Sequence, residues 1–133
     1  MTPTEALQAW LALEHEAVWL YPVVGARVES LVKPARTSFA AHRDTRDALV
    51  GRLRSAGTSP VATALGYDVG PLTSAGQART AAQSLEARIS AALLTLAGVA
   101  QDDLRAYAVR ALRTSALAEQ TWGAAPKAFP GLP

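Results

Sequence analysis

Four acidic residues, Glu14, Asp47, Glu86 and Glu119, stand where a helical reading turns them toward a common interior. Glu14 is the clearest case. Steps of three and four residues through Leu7, Trp10, Glu14, Ala17, Tyr21, Val24, Val28 and Leu31 trace the buried stripe of a helix, and Glu14 is its only charged member. A carboxylate in that position must be paired, hydrogen-bonded, metal-bound or neutralised, because an isolated buried charge is far too costly. The spacing has a pattern: Glu14 to Asp47 and Glu86 to Glu119 are both intervals of 33, and the dipeptides Leu13-Glu14 and Leu85-Glu86 lie 72 apart. Two similar helical hairpins give such intervals, although two-residue matches make only a faint repeat. Carboxylates converging from four helices are the raw material of a di-metal centre, with iron or manganese as the candidate ions.

The rest of such a ligand set is missing. Di-iron bundles draw one Glu from each of two helices and a Glu-x-x-His from each of the other two. Here Val50 stands three residues after Asp47, and Trp122 three after Glu119. The chain has two histidines. His15 follows Glu14 and points about 100° away around the helix. His42 lies on the inward stripe of a second helix with Phe39, Arg46, Leu49 and Leu53. Arg46 is the expected partner of Glu14, since a guanidinium can satisfy a buried carboxylate in bidentate fashion. The preferred reading is therefore a buried polar network of Glu14, His42 and Arg46 with no cofactor. The alternative is a metal site on Glu14, Asp47, Glu86 and Glu119.

The elements that must hold these residues are four helices. The first begins at a Thr2 or Thr4 cap and runs to about Val32, kinked at Pro22. Pro34 closes it and starts the second, roughly Ala35 to Ala56, which Gly57 stops. Residues 58–73 hold two prolines, two glycines and no helical period, so they form a long connection. Extended, it reaches about 50 Å, more than the roughly 33 Å length of a 22-residue helix. It can therefore cross the full bundle and leave the second and third helices parallel. The third helix runs from Thr73 or Ser74 to about Gly98, with Leu85, Ile89, Leu93 and Leu96 inward. The fourth runs from Gln101 or Asp102 to Trp122. In the proline-rich tail, Phe129 and Leu132 are expected to pack on the bundle. One long crossover among four helices predicts an all-α, ferritin-like four-helix bundle in a single domain covering residues 1–133.

Composition sets further bounds. Half of the 133 residues are hydrophobic and 18% are charged, which is a folding composition. The net charge of +2 comes from interspersed charges with no basic block, which argues against nucleic acid as a partner. The absence of cysteine excludes disulfides and thiol catalysis. No apolar run is long enough to span a membrane and no leader is evident at the first residues, so a cytoplasmic location is expected. No phosphate-binding glycine loop, Gly-x-Ser-x-Gly or His-Glu-x-x-His occurs. Trp10, Trp19 and Tyr21 read as core and interface packing, with Trp19 at a possible homodimer contact.

Leu13-Glu14-His15-Glu16-Ala17-Val18, Val24-Gly25-Ala26-Arg27, His42-Arg43-Asp44-Thr45-Arg46-Asp47-Ala48-Leu49 and the closing Ala128-Phe129-Pro130-Gly131-Leu132-Pro133 together resemble a bacterial ferritin-like family catalogued as domain of unknown function 4439. The resemblance covers nearly the whole chain. It implies a ferritin-like bundle and no particular activity, and Val50 and Trp122 depart from the histidines of metal-binding ferritin-like proteins. The functional expectation is a non-enzymatic structural or interaction module, forming a homodimer. One alternative is a di-metal carboxylate protein with oxidase-like or storage chemistry. The other is a small-ligand binder with a pocket near Leu65 to Tyr67.

Overall fold

In the computed structural model, which describes residues 1–133, each helix starts and stops on the chemistry of its flanking residues. The first, α1, spans Pro3–Arg27. The Thr2 hydroxyl accepts from the Glu5 amide at 3.1 Å and Glu5 Oε2 accepts from the Thr2 amide at 2.7 Å, a reciprocal capping box. The helix continues through Pro22. The chain then breaks at Val28, whose backbone is extended, makes a single 3-10 turn at Glu29–Leu31, and enters α2 at Val32–Ser55. The break thus precedes the boundary expected at Pro34. Pro34 lies inside the first turn of α2, where its missing N–H leaves no hydrogen bond unmade.

Gly57 stops α2 in a left-handed conformation (φ 74°) that lets the Thr58 amide bond the Leu53 carbonyl and its own amide bond that of Arg54. Residues 56–74 contain no helix or strand. They are stitched along α1. Gln8 donates to the Ser59 carbonyl at 2.8 Å and accepts from the Val61 amide at 2.7 Å. His15 Nε2 lies 2.9 Å from the Val61 carbonyl, and Tyr67 sets its ring edge-on to Trp19 at 6.1 Å. These contacts climb α1 from its first turns toward its far end, so the connection is a full-length crossover. Buried Leu72 anchors its end, and the Ser74 hydroxyl caps α3, Ala75–Val99. A short turn leads into α4, Asp102–Thr121.

The result is an all-α four-helix bundle in which α2 and α3 run parallel. α1 packs on α2, α3 packs on α4, and α1 packs against α3. No comparable contact joins α2 to α4. The core reflects this: α1 and α3 bury long stripes, including Leu11, Leu20 and Val24 on one and Leu85, Ile89 and Leu93 on the other. By contrast α2 buries only Ala35, Leu49 and Leu53, and α4 only Ala108, Ser115 and Glu119. No helix is long and apolar enough to cross a membrane.

The tail departs from expectation. Phe129 and Leu132 are 73% and 49% exposed and do not anchor it. Gly131 does so instead, lying so close to α3 that an added Cβ would stand 2.8 Å from the Ser90 carbonyl oxygen. A bare backbone fits where the expected side chains do not.

Candidate functional site

Glu14 faces inward from α1 at 2% exposure, and Glu86 faces it from α3 at 1%. His42 of α2 lies between them. Its Nδ1 donates to Glu14 Oε2 at 2.5 Å and its Nε2 to Glu86 Oε1 at 2.6 Å. The remaining donors come from aromatic residues. Trp10, one turn before Glu14, donates its indole N–H to Glu14 Oε1 at 2.8 Å, and the Tyr21 hydroxyl donates to Glu86 Oε1 at 2.6 Å. Tyr21 also stacks on the His42 ring, centroids 5.4 Å apart and planes within 10°, and on Trp122, centroids 5.4 Å apart.

Charge follows from this geometry. Burial by itself would lower the basicity of His42, but the hydrogen bonds it donates to Glu14 and Glu86 and their negative charges outweigh it and push the imidazole up to about 10. The ring is therefore an imidazolium at neutral pH. Burial and the adjacent Glu86 charge push the Tyr21 phenol upward, so it remains a neutral donor.

A second group of polar side chains extends from Glu86. The Ser115 hydroxyl lies 3.0 Å from the Glu86 carbonyl oxygen and 3.4 Å from Glu86 Oε2. Ser90 Oγ lies 3.1 Å from Ser115 Oγ and donates to Glu119 Oε1 at 2.8 Å. The other oxygen of Glu119 pairs with Lys127 of the tail at 3.5 Å. One connected network thus runs from Trp10 across the bundle interior to an exposed lysine.

The four acidic positions therefore have different fates. Glu14 and Glu86 meet through His42, and Glu119 joins them only through two serines. Asp47 does not take part: it is exposed on the outer face of α2. Arg46 is a correction too. It bonds its neighbour Asp47 at 2.9 Å and makes no contact with Glu14. The long arginine reaches the adjacent surface carboxylate, whereas the shorter imidazole one turn earlier fits between the two buried ones. No cluster of three or more His, Asp or Glu is arranged to enclose a metal ion. With both ring nitrogens of His42 bonded to carboxylates and Asp47 outside, these residues do not fit a di-metal centre.

Because α2 and α4 stand apart, the floor formed by Glu14, His42 and Glu86 opens into a cleft of about 500 Å³. Trp10 and Tyr107, a tilted pair 5.6 Å apart, line one part of it, and Trp122 another. Leu93, Ala111 and Ala118 add apolar surface, while Thr37, Thr45 and Thr114 supply hydroxyls. The Trp122 indole N–H donates to Ser38 Oγ at 3.2 Å, one of the few links between the two sides. The expected pocket near Leu65 to Tyr67 is elsewhere in the molecule, and Leu65 is fully exposed to solvent. Of the network, Trp10, Tyr21, Ser90 and Ser115 escaped sequence reasoning. The four-residue spacing of Trp10 and Glu14 was the one available signal, since it places an indole donor one helical turn from the carboxylate.

A family model described as Domain of unknown function (DUF4439) matches residues 6–133. Among solved structures, the chain is similar to a conserved hypothetical protein from Mycobacterium tuberculosis, with 28% identity, 96% of each chain covered and a TM-score of 0.85. None of the curated proteins compared with the chain matches it.

Proposed function

The chain belongs to the family described as domain of unknown function 4439, and from that premise we propose that it is a ferritin-like bundle serving as a non-catalytic binder of a small ligand in the cleft between α2 and α4. Support for the ferritin-like reading comes from the single crossover between the second and third helices and from the carboxylates of α1 and α3 facing each other at mid-bundle. In this reading the His42 imidazolium takes the part of the positive charge that joins two carboxylates where related bundles use a metal.

The observation that carries the binding function is the cleft itself. Its volume of about 500 Å³ lies within the usual range of small-molecule sites. Aromatic walls above a few convergent, buried polar groups are the usual composition of such sites. Binding is favoured over acid–base catalysis because His42, basic up to about 10 and bonded at both nitrogens, is not poised to accept a proton at neutral pH.

Screening a fragment library by nuclear magnetic resonance tests this reading through the three indole N–H signals. Trp10 and Trp122 line the cleft, whereas Trp19 packs by Tyr67 under the crossover and serves as an internal control. Bound fragments should shift Trp10 and Trp122 and leave Trp19 in place. Fragments that shift no indole signal, or Trp19 alone, would contradict a ligand site here.

A further inference from the structure

We propose that the cleft selects a small organic ammonium ion carried on an aromatic body, its N–H donating to Glu86 Oε2 and its rings lying along Trp10, Tyr107 and Trp122. The inference rests on the reading of the cleft as a ligand site and names the class of ligand.

Donor counting carries it. Glu86 is 1% exposed and lines the cleft. Its Oε1 receives two hydrogen bonds, from Tyr21 and His42. Its Oε2 has one neighbour, the Ser115 hydroxyl at 3.4 Å, and that hydroxyl is closer to the Glu86 carbonyl at 3.0 Å. The Ser90 proton is taken up by Glu119 at 2.8 Å. A hydroxyl carries one proton. With each proton on its shorter contact, Glu86 Oε2 keeps only the long 3.4 Å contact to Ser115. A buried carboxylate oxygen with one long, shared donor favours a ligand that brings a closer one.

The charge of the floor says which donor. Glu14 and Glu86 carry two negative charges, and His42 contributes at most one positive charge. The floor is negative whichever way His42 is protonated. Arg110, the other charged residue lining the cleft, is exposed at its rim. A cationic donor therefore matches the depth of the cleft better than a neutral hydroxyl, and an anion is repelled from it. The walls agree with a cation on an aromatic frame, because indole and phenol faces attract positive charge. Tyr107 already does so: the Arg52 guanidinium carbon lies 4.0 Å from its ring centroid.

Isothermal titration of the full chain with tryptamine, tryptophol and indole-3-propionate, three indoles differing in the charge of the side arm, tests the proposal. Tryptamine should bind at least about ten-fold more tightly than tryptophol, the size of effect a charge-assisted hydrogen bond confers, and indole-3-propionate more weakly than either. Glu86→Gln should abolish the preference for tryptamine over tryptophol. Thr114→Trp, which fills the cleft from the exposed side of α4 without touching the floor, should abolish binding of all three and needs no change at the buried network. Equal affinity for tryptamine and tryptophol, with both lost in Thr114→Trp, overturns the choice of an ammonium ion and leaves the cleft as a ligand site. Binding that persists unchanged in Thr114→Trp, or no binding by any of the three, overturns the ammonium proposal. Failure of the wider reading is marked separately by indole signals of Trp10 and Trp122 that no fragment moves.

Discussion

Replacing His42 by glutamine removes the only cation within reach of two buried carboxylates, and its effect can be worked out from the geometry. His42 bonds Glu14 at 2.5 Å and Glu86 at 2.6 Å, and no lysine or arginine pairs with either. Removing one partner of a buried ion pair costs about 3–5 kcal/mol, most of it from the charge left behind. The pH dependence separates this cause from simple loss of packing. In the wild type, the imidazole has an ordinary value of 6.5 and a folded value raised to about 10, because the carboxylate bonds and charges outweigh the opposing effect of burial. Below 6.5 both folded and unfolded chains hold the proton, and the full contribution is present. Between 6.5 and about 10 the folded chain keeps a proton that the unfolded chain has released. Stability then falls by slightly more than about 1 kcal/mol per pH unit, on the order of 5 kcal/mol over the window. His42→Gln has no such alkaline slope. Its two buried carboxylates face each other without a cation between them. Urea unfolding followed by far-ultraviolet circular dichroism at about pH 5, 7 and 9 measures both slopes. Parallel pH profiles for wild type and variant, or a variant within about 1 kcal/mol of wild type at neutral pH, would refute the charge-pair account of the floor.

Three further outcomes follow from the same contacts. Tyr21→Phe removes a donor from Glu86 Oε1 and should cost about 1–3 kcal/mol in chemical unfolding. Gly131→Ala places a methyl group 2.8 Å from the Ser90 carbonyl at a φ of 89°, so the tail should detach from α3, visible as faster proteolysis after residue 123. Asp47→Asn, at an exposed surface pair with Arg46, should change stability by no more than about 0.5 kcal/mol, and a larger loss would show that Asp47 has a role the structure does not give it.

Much of the fold was legible because it rests on period and punctuation. The inward stripes of α1 and α3, the stop at Gly57 and the long proline–glycine connection are each local signals, and together they lead to the bundle and its crossover. The site was half legible. Glu14 announced itself as a charge in an apolar stripe, but its partner was misassigned because the reversal between α1 and α2 was set at Pro34. With the chain breaking at Val28, fourteen residues separate that point from Glu14 on one side and from His42 on the other, which brings the two level. Arg46 lies a further turn along α2, where an adjacent aspartate satisfies it. Ser90 and Ser115 could not be picked out, because a serine in an alanine-rich stripe has the periodicity of a small core residue. Nor could the gap between α2 and α4: periodicity says which face of a helix turns inward, not how far the opposite helix stands from it. The sparse buried residues of those two helices were its only trace.

The sparse contact between α2 and α4 makes the molecule two hairpins joined along one seam, like a book bound at α1 and α3. The crossover is stitched to α1, so it belongs to the first leaf, and the chain passes to the second at Leu72 to Ser74. Rotation about the spine would change the width of the cleft while leaving the packing within each leaf intact. The side-chain clasps that oppose such rotation include His42 to Glu86, Tyr21 to Glu86, Arg88 to Glu16, Trp122 to Ser38, and the Arg52 guanidinium over the Tyr107 ring. The same imidazolium that balances the floor therefore also ties one leaf to the other.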